Sequence, residues 1–242
     1  MALFRKLREA QRPHCTALVA AAGSSSRMGG VNKLLHPLDG VPVLLRTLTA
    51  LQQAARVDAI VVATREENLV EISKLCRTYG ISKCTKVVRG GEDRTHSVLL
   101  AALDAPADTE LLAVQDGARP LVTPDLIDAV IAKAEHSGAA APAVPVKDTI
   151  KTVGEDGAVE ETLERSALRA IQTPQVFAAD LLKAALQDIL EKRISVTDDC
   201  AAVERLGKKV YLIPGEESNL KITTPTDLIL AEALLRKGAG GR

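Results

Sequence analysis

Short apolar runs alternate with helix-like patterns along most of the chain. Five of these runs have the composition of β-strands. They are TALVAAAG at 16–23, DAIVVAT at 58–64, KVVRGG at 86–91, LLAVQDGARP at 111–120 and AAAPAVPV at 139–146. Strands that alternate with helices in this way are typical of a mostly parallel sheet covered by helices. The pattern therefore predicts an α/β fold.

The helical stretches between these runs carry start and stop residues. One helix is predicted to begin near Pro42, with the proline in its first turn, and another at Thr123-Pro124, where the threonine caps the helix. A third covers ENLVEISKLCRTYG and ends at Gly80, a residue type that favours helix ends. Further helices are predicted at 93–103, 179–191, 198–206 and 224–236.

The alternation stops after the fifth strand. The stretch DTIKTVGEDGAVEETLER at 148–165 has two strand-like segments around a Gly-Glu-Asp-Gly turn, which predicts a β-hairpin. A last strand is predicted over KKVYLIPG at 208–215. With no internal repeat and no low-complexity linker, we expect one domain over 1–242, with a hairpin arm at about 147–166 and flexible ends at about 1–14 and 238–242.

Composition excludes several classes of function. Basic and acidic residues balance at 31 each, so net charge gives no reason to expect nucleic-acid or membrane partners. Aromatic residues make up 2% of the chain, too few for base-stacking platforms. Cysteines and histidines are scattered, which argues against a zinc site. The charged start lacks an apolar signal core, and no apolar run approaches the ~18 residues of a membrane helix, so we expect a cytoplasmic protein.

Polar clusters follow the first, third and fourth strands, where ligands bind in parallel sheets. The first cluster, in LVAAAGSSSRMGGVNK at 18–33, has neither a G-x-G-x-x-G nor a G-K-[ST] pattern. It offers backbone amides from Gly23 and the serines that follow, together with the cations Arg27 and Lys33. Such groups hold phosphate oxygens and neutralise their charge. The loop therefore indicates a phosphate site, although Arg27 alone is equally typical of a solvated surface.

The other two clusters each allow a functional and a purely structural interpretation. In RGGEDRTHS the glycines bring bare backbone close to a ligand, or Glu92 and Asp93 simply complement a helix dipole. Asp116 at the end of an apolar strand suits a metal–phosphate complex, a hydroxyl contact or a turn. We find no Ser-His-Asp, Cys-His or paired-carboxylate arrangement. This favours phosphoryl-type transfer, in which positioning and charge carry the catalysis without a protein nucleophile.

Eight motifs, in order, resemble those of the 2-C-methyl-D-erythritol 4-phosphate cytidylyltransferases. They are AAGSSSRM, NK at 32–33, GGEDRTHSV, DGARP, PVKDTI, TPQVF, TDDCAAVE and NLKITTPTDL. The resemblance implies a Rossmann-like nucleotidyltransferase that transfers CMP from CTP to methylerythritol phosphate and releases pyrophosphate. It further implies a homodimer held by an extended arm, which matches the hairpin here, and Mg²⁺ held mainly through the CTP phosphates, with no residue predicted as a metal ligand.

The resemblance also implies roles for individual residues. Arg27 and Lys33 match the cations that stabilise the transition state at the CTP α-phosphate, and Lys221 and Arg165 complete the catalytic set. The walls around the nucleotide match Ala20, Ala21, Ala22, Gly23, Gly91, Glu92 and Ser97. The acceptor side matches Asp116, Thr173, Thr197 and Lys221, and the DGARP motif adds Gly117 and Arg119. Thr149 and Arg165 match arm residues that the family borrows from the partner subunit.

The chain departs from the family's usual motifs at several positions. Ala20 replaces a proline, Ser25 replaces the second glycine of the first loop, and Gly117 stands where alanine is common. A ribitol 5-phosphate cytidylyltransferase is the nearest alternative, because its motifs overlap heavily with these. A molybdopterin nucleotidyltransferase leaves TPQVF and the arm unexplained. A non-catalytic Rossmann module is a further alternative, but it needs a glycine fingerprint that this sequence lacks.

Overall fold

The computed structural model describes residues 12–23 and 32–239. The strands are β1 (Cys15–Ala21), β2 (Pro37–Leu38), β3 (Val41–Pro42), β4 (Ala59–Thr64), β5 (Cys84–Arg89), β6 (Leu111–Asp116), β7 (Ala139–Pro145), β8 (Lys151–Val153), β9 (Val159–Thr162), β10 (Arg169–Ile171), β11 (Gln175–Ala178) and β12 (Tyr211–Pro214). The helices are α1 (Val43–Gln53), α2 (Leu69–Thr78), α3 (Arg94–Leu103), α4 (Pro124–Ser137), α5 (Ala179–Glu191), α6 (Asp199–Arg205) and α7 (Pro225–Ala239). Most of the expected flexible ends lie outside the described residues.

The central sheet is mostly parallel, as predicted. Strands β5, β4, β1 and β6 lie side by side in parallel. Strand β11 joins β6 to β7 in antiparallel pairing, and β12 runs parallel to β7. The parallel strands therefore all end at the same edge of the sheet. The short strands β10 and β11 were not predicted, because three or four residues carry too little pattern and take their conformation from pairing with β7.

The core is aliphatic and lies on both faces of the sheet. Every residue of β4 is buried. In β1, Leu18 packs into the cluster on one face and Val19 into the cluster on the other, as alternate side chains of a strand do. Helices α1 and α4 cover the Val19 face, and α3 and α5 cover the Leu18 face. Each fully buried Leu, Ile or Val contributes about 1.5–3 kcal/mol, so the sheet is a firm base for the loops at its edge.

The predicted helix ends are confirmed at several positions and wrong at one. The Thr123 hydroxyl accepts a hydrogen bond from Leu126 N, and Pro124 is the first residue of α4. Gly80 follows α2 with φ +67°, a conformation that glycine adopts at no steric cost. Pro42 does not lie in the first turn of α1. It precedes the helix and pairs with Pro37 in the short β2–β3 ladder, which was not predicted.

The predicted hairpin is present as β8 and β9, which form a two-stranded sheet of their own. Its turn is closed by Gly157 N, which donates to Gly154 O at 3.0 Å. The side chains of Val153 and Val159 are 61% and 60% exposed. We call residues 147–166 the arm. Within the described residues, no helix has both the length and the apolar character needed to cross a membrane.

Candidate active site

A cavity of about 760 Å³ lies at the sheet edge where the parallel strands end. The ends of β1, β5 and β6 meet there with the segment before α7, so the described residues of the three polar clusters converge as expected. Nine of the predicted site residues line it: Ala20, Ala22, Gly23, Lys33, Gly91, Glu92, Ser97, Asp116 and Lys221. Arg27 lies outside the described residues.

Two glycines shape one wall of the cavity. A Cβ on Gly90 would lie 2.7 Å from the Ala22 Cβ, so only glycine lets the loop after β5 approach the end of β1 this closely. Gly91 N donates to the Ser97 hydroxyl at 3.1 Å, and that hydroxyl donates to Asp93 O at 2.7 Å. The Asp93 carboxylate also caps α3 by accepting from the amide of residue 96. These bonds fix the loop at the helix N-terminus, where amides and the helix dipole favour anions.

A second wall carries cations next to the end of β1. Lys33 Nζ donates to Ile222 O at 3.0 Å and lines the cavity. Arg65 was not predicted; its Nη2 donates to Gly23 O at 2.9 Å and its Nε to Ala22 O at 3.2 Å. Arg65 directly follows β4, so its place at the carboxyl end of a predicted parallel strand was a usable signal.

Asp116 is almost fully buried and is surrounded by positive charge. Its Oδ2 lies 2.9 Å from Lys221 Nζ and 3.6 Å from Arg119 Nε, and its Oδ1 lies 3.5 Å from Arg94 Nε. Burial alone would raise the pKa of Asp116, but the charges of Arg94, Lys221 and Arg119 outweigh it and hold that pKa below its usual range. Asp116 is therefore ionised and can accept hydrogen bonds from a ligand.

Arg94 bridges Asp116 to a second buried carboxylate that was not predicted. Its Nη2 lies 2.7 Å from Asp199 Oδ2, and Asp199 is 1% exposed. Burial alone would lower the pKa of Arg94, but the charges of Asp199 and Asp116 raise it, so the guanidinium is firmly charged. Both residues stand inside motifs of the resemblance, GGEDRTHSV and TDDCAAVE, and that was the available signal.

Other predicted residues lie behind the cavity wall. Arg119 is buried and its Nη1 donates to Asn219 O at 2.6 Å. The Thr173 hydroxyl accepts from Asp116 N at 3.1 Å, which fixes the end of β6. Gly117 N donates to Ala20 O at 3.1 Å. A Cβ on Gly117 would lie 3.0 Å from Leu44 Cδ1, so the common alanine would require Leu44 to move. Ala21 is a buried residue of β1.

Three predicted residues are exposed and do not line the cavity of their own chain. These residues are Thr149, Arg165 and Thr197. Arg165 Nη1 donates to Lys147 O at 3.0 Å, a contact within the arm. Their predicted roles in the acceptor pocket therefore stay predictions.

The carboxylates of the cavity suit a metal ion that is held mainly by a bound ligand. Within residues 12–23 and 32–239, no three His, Cys, Asp or Glu side chains are grouped closely enough to hold a metal ion. The Asp116 carboxylate already contacts three cations, which leaves Glu92 and Asp93 as the carboxylates at the cavity rim. Mg²⁺ is commonly bound by one or two carboxylates together with substrate phosphates, and this arrangement fits that chemistry.

Comparison with known proteins gives a consistent result. The family model described as 2-C-methyl-D-erythritol 4-phosphate cytidylyltransferase matches residues 15–237. The chain is 42% identical to the protein of that name from Dehalococcoides mccartyi, over 92% of this chain and 96% of the relative. It is 43% identical to the Bacillus cytotoxicus protein of the same name, over 91% and 97%.

Solved structures agree with the sequence comparison. The 4-diphosphocytidyl-2C-methyl-D-erythritol synthase of Anaerococcus prevotii superimposes with a TM-score of 0.82 at 30% identity, covering 93% of this chain and 96% of the other. The 2-C-methyl-D-erythritol 4-phosphate cytidylyltransferase of Thermus thermophilus gives a TM-score of 0.75 at 34% identity, with coverage of 91% and 98%.

Proposed function

Since the chain belongs to the 2-C-methyl-D-erythritol 4-phosphate cytidylyltransferase family, we propose that its cavity has a CTP side and an acceptor side. The protein is a nucleotidyltransferase of non-mevalonate isoprenoid biosynthesis. In this reaction a phosphate oxygen of methylerythritol phosphate attacks the α-phosphorus of CTP. The bond to the β-phosphate breaks, pyrophosphate leaves, and 4-diphosphocytidyl-2-C-methyl-D-erythritol forms.

The CTP side consists of the end of β1 and the loop before α3. Bare backbone at Gly23 and Gly91 lets a nucleotide approach closely, and the α3 N-terminus favours its negative charge. Lys33 reaches the same cavity and, with Arg27, stabilises the charge that develops at the α-phosphate. These two cations take the place of the lysine in the G-K-[ST] pattern of other phosphate-binding loops.

The acceptor side is built around the pair of Asp116 and Lys221. The carboxylate is ionised and accepts hydrogen bonds from hydroxyl groups of the acceptor, while the ammonium attracts its phosphate. Arg94 and Arg119 bring positive charge to the same carboxylate, with Asp199 as the counter-charge of Arg94. These five groups carry one net positive charge, which favours binding of a phosphate monoester.

Mg²⁺ completes the proposed CTP complex. We propose that the CTP phosphates would hold the ion, and that Glu92 and Asp93, which line the cavity, would be available as further ligands. When bound, it neutralises phosphate charge and favours departure of pyrophosphate.

The cysteines at 15, 76, 84 and 200 are all free thiols, which supports the proposed cytoplasmic location.

We propose a homodimer held by the arm. An isolated two-stranded hairpin is at best marginally stable in water, and the two exposed valines of this one lack a packing surface within the described chain. The arm of a symmetric partner supplies that surface, because the same exposed face is present on both subunits. Thr149 and Arg165, exposed on the arm, then reach the acceptor pocket of the partner subunit.

The observation that carries this account is the contact of Asp116 with Lys221 inside a cavity that also holds Lys33. The test is pyrophosphate release from CTP with methylerythritol phosphate, ribitol 5-phosphate and other polyol phosphates. We expect the highest kcat/KM with methylerythritol phosphate. Preference for ribitol 5-phosphate would support the sister enzyme instead. Absence of release with every acceptor, despite CTP binding, would support a non-catalytic module.

A further inference from the structure

Arg94 is held between two buried carboxylates, and only one of them faces the cavity. Two nitrogens of the one guanidinium make these contacts: Nη2 lies 2.7 Å from Asp199 Oδ2, and Nε lies 3.5 Å from Asp116 Oδ1. Asp116 lines the cavity, whereas Asp199 does not. Among the residues that the structure describes, Arg94 is therefore the link between Asp199 and the cavity.

The backbone around Asp199 is fixed by Gln175. The Gln175 Oε1 accepts from the amides of Asp199 and Cys200, both at 3.1 Å, and its Nε2 donates to Asp198 Oδ2 at 2.9 Å. Asp198 in turn caps α6 by accepting from Ala201 N. With these contacts made, the start of α6 is tied to β11 and the Asp199 carboxylate is left to pair with Arg94.

Burial makes this pair difficult to break. Burial raises the pKa of Asp199, and the charge of Arg94 opposes that shift. If Arg94 turned away, Asp199 would either stay charged in the interior without this partner or take up a proton, and both changes lose the free energy of the ion pair. Asp199 therefore restricts Arg94 to orientations that keep its Nε beside Asp116.

Arg94 belongs structurally to both sides of the proposed site. It is the first residue of α3, directly after the loop of Gly91, Glu92 and Asp93 on the CTP side. Its Nε contacts Asp116 on the acceptor side. The position of the Arg94 side chain thus helps to set the distance and orientation between the CTP side and the acceptor side.

We propose that Asp199 is a positioning residue that holds Arg94 across the CTP and acceptor sides and so aligns the two substrates for transfer. This inference rests on the proposed function. Alignment affects the step in which the acceptor oxygen attacks phosphorus, so loss of Asp199 lowers kcat more than it raises either KM. If Asp199 only stabilised the fold, its loss would lower the melting temperature without lowering kcat more than it raises KM.

The test is a double-mutant cycle of Asp199→Asn and Arg94→Met, assayed by pyrophosphate release with both substrates varied. Asp199→Asn should lower kcat by about ten- to a hundredfold, as misplacement of a supporting group does. Asp58→Asn is the matched control, because it breaks an Arg–Asp pair with Arg12 that lies ahead of β4 and away from the cavity. Its kcat should stay near the wild-type value, whatever its melting temperature.

The decisive comparison is the double variant. If Asp199 acts through Arg94, then Asp199→Asn has little further effect on kcat in the Arg94→Met background. Multiplicative losses from the two substitutions, or a wild-type kcat for Asp199→Asn, would overturn the proposal. Failure of the proposed function is distinct, because the wild-type protein would then release no pyrophosphate with methylerythritol phosphate.

Discussion

Lys221 Nζ lies 2.9 Å from Asp116 Oδ2, which joins the segment before α7 to the end of β6. The Asp116 side chain is 9% exposed, and that of Lys221 is 39% exposed. The buried carboxylate thus orients an ammonium whose outer surface remains open to the cavity. Ile222, the next residue, is fully buried beside Leu38 and anchors the segment. A phosphate can meet Lys221 without displacing Asp116.

Replacement of Lys221 by methionine should weaken binding of the acceptor. A hydrogen bond to a charged group contributes about 1.5–3 kcal/mol, so KM for methylerythritol phosphate should rise by about ten- to a hundredfold. KM for CTP should change little, because Lys221 lies on the acceptor side. Steady-state kinetics with each substrate varied in turn measure both constants. An unchanged acceptor KM, or an equal rise in both constants, would contradict the assignment.

Asp116 should make stability depend on pH in one direction. The pKa of Asp116 in the folded protein lies below the ordinary 3.8. The ionised carboxylate therefore contributes fully to the free energy of unfolding above pH 3.8, and this contribution is lost as the pH falls through the folded pKa. The free-energy difference between wild type and Asp116→Asn should therefore be constant at neutral pH and shrink in acid. Urea unfolding of both proteins over a pH series measures it. A difference that grows as the pH falls would show that the carboxylate prefers to be protonated in the folded protein.

The sheet and the place of the site were predictable from the sequence. The side-chain contacts that join one polar cluster of the site to another were not. Five apolar runs with helices between them predict a mostly parallel sheet, and the loops after parallel strands lie at one edge of it. The pairing of Arg94 with Asp199 depends on how α3 and α6 each pack against α5, which no local pattern records. Strands β10 and β11 are likewise set by their pairing with β7. The position of Arg65, directly after β4, is a signal for the site that the sequence does carry.

Two inactive variants should restore activity together if the arm crosses between subunits. Lys33→Ala damages the CTP side, and Arg165→Ala damages the acceptor pocket of the other subunit. A mixed dimer then holds one intact site and one doubly damaged site, so activity should partly return on subunit exchange. Native mass spectrometry confirms exchange. With exchange confirmed, the absence of any recovery would mean that Arg165 serves the cavity of its own chain.

The most direct test of the whole account is the turnover number of Lys33→Ala with CTP and methylerythritol phosphate both saturating. Removal of one cation from a phosphoryl-transfer site should lower kcat by roughly 10³-fold. KM for CTP should change less, because the charge that Lys33 stabilises is greatest in the transition state. Lys86→Ala, which removes an exposed lysine paired with Asp104 outside the cavity, serves as the control. Near-normal turnover of Lys33→Ala, matching that of the control, would contradict the placement of cytidylyl transfer in this cavity.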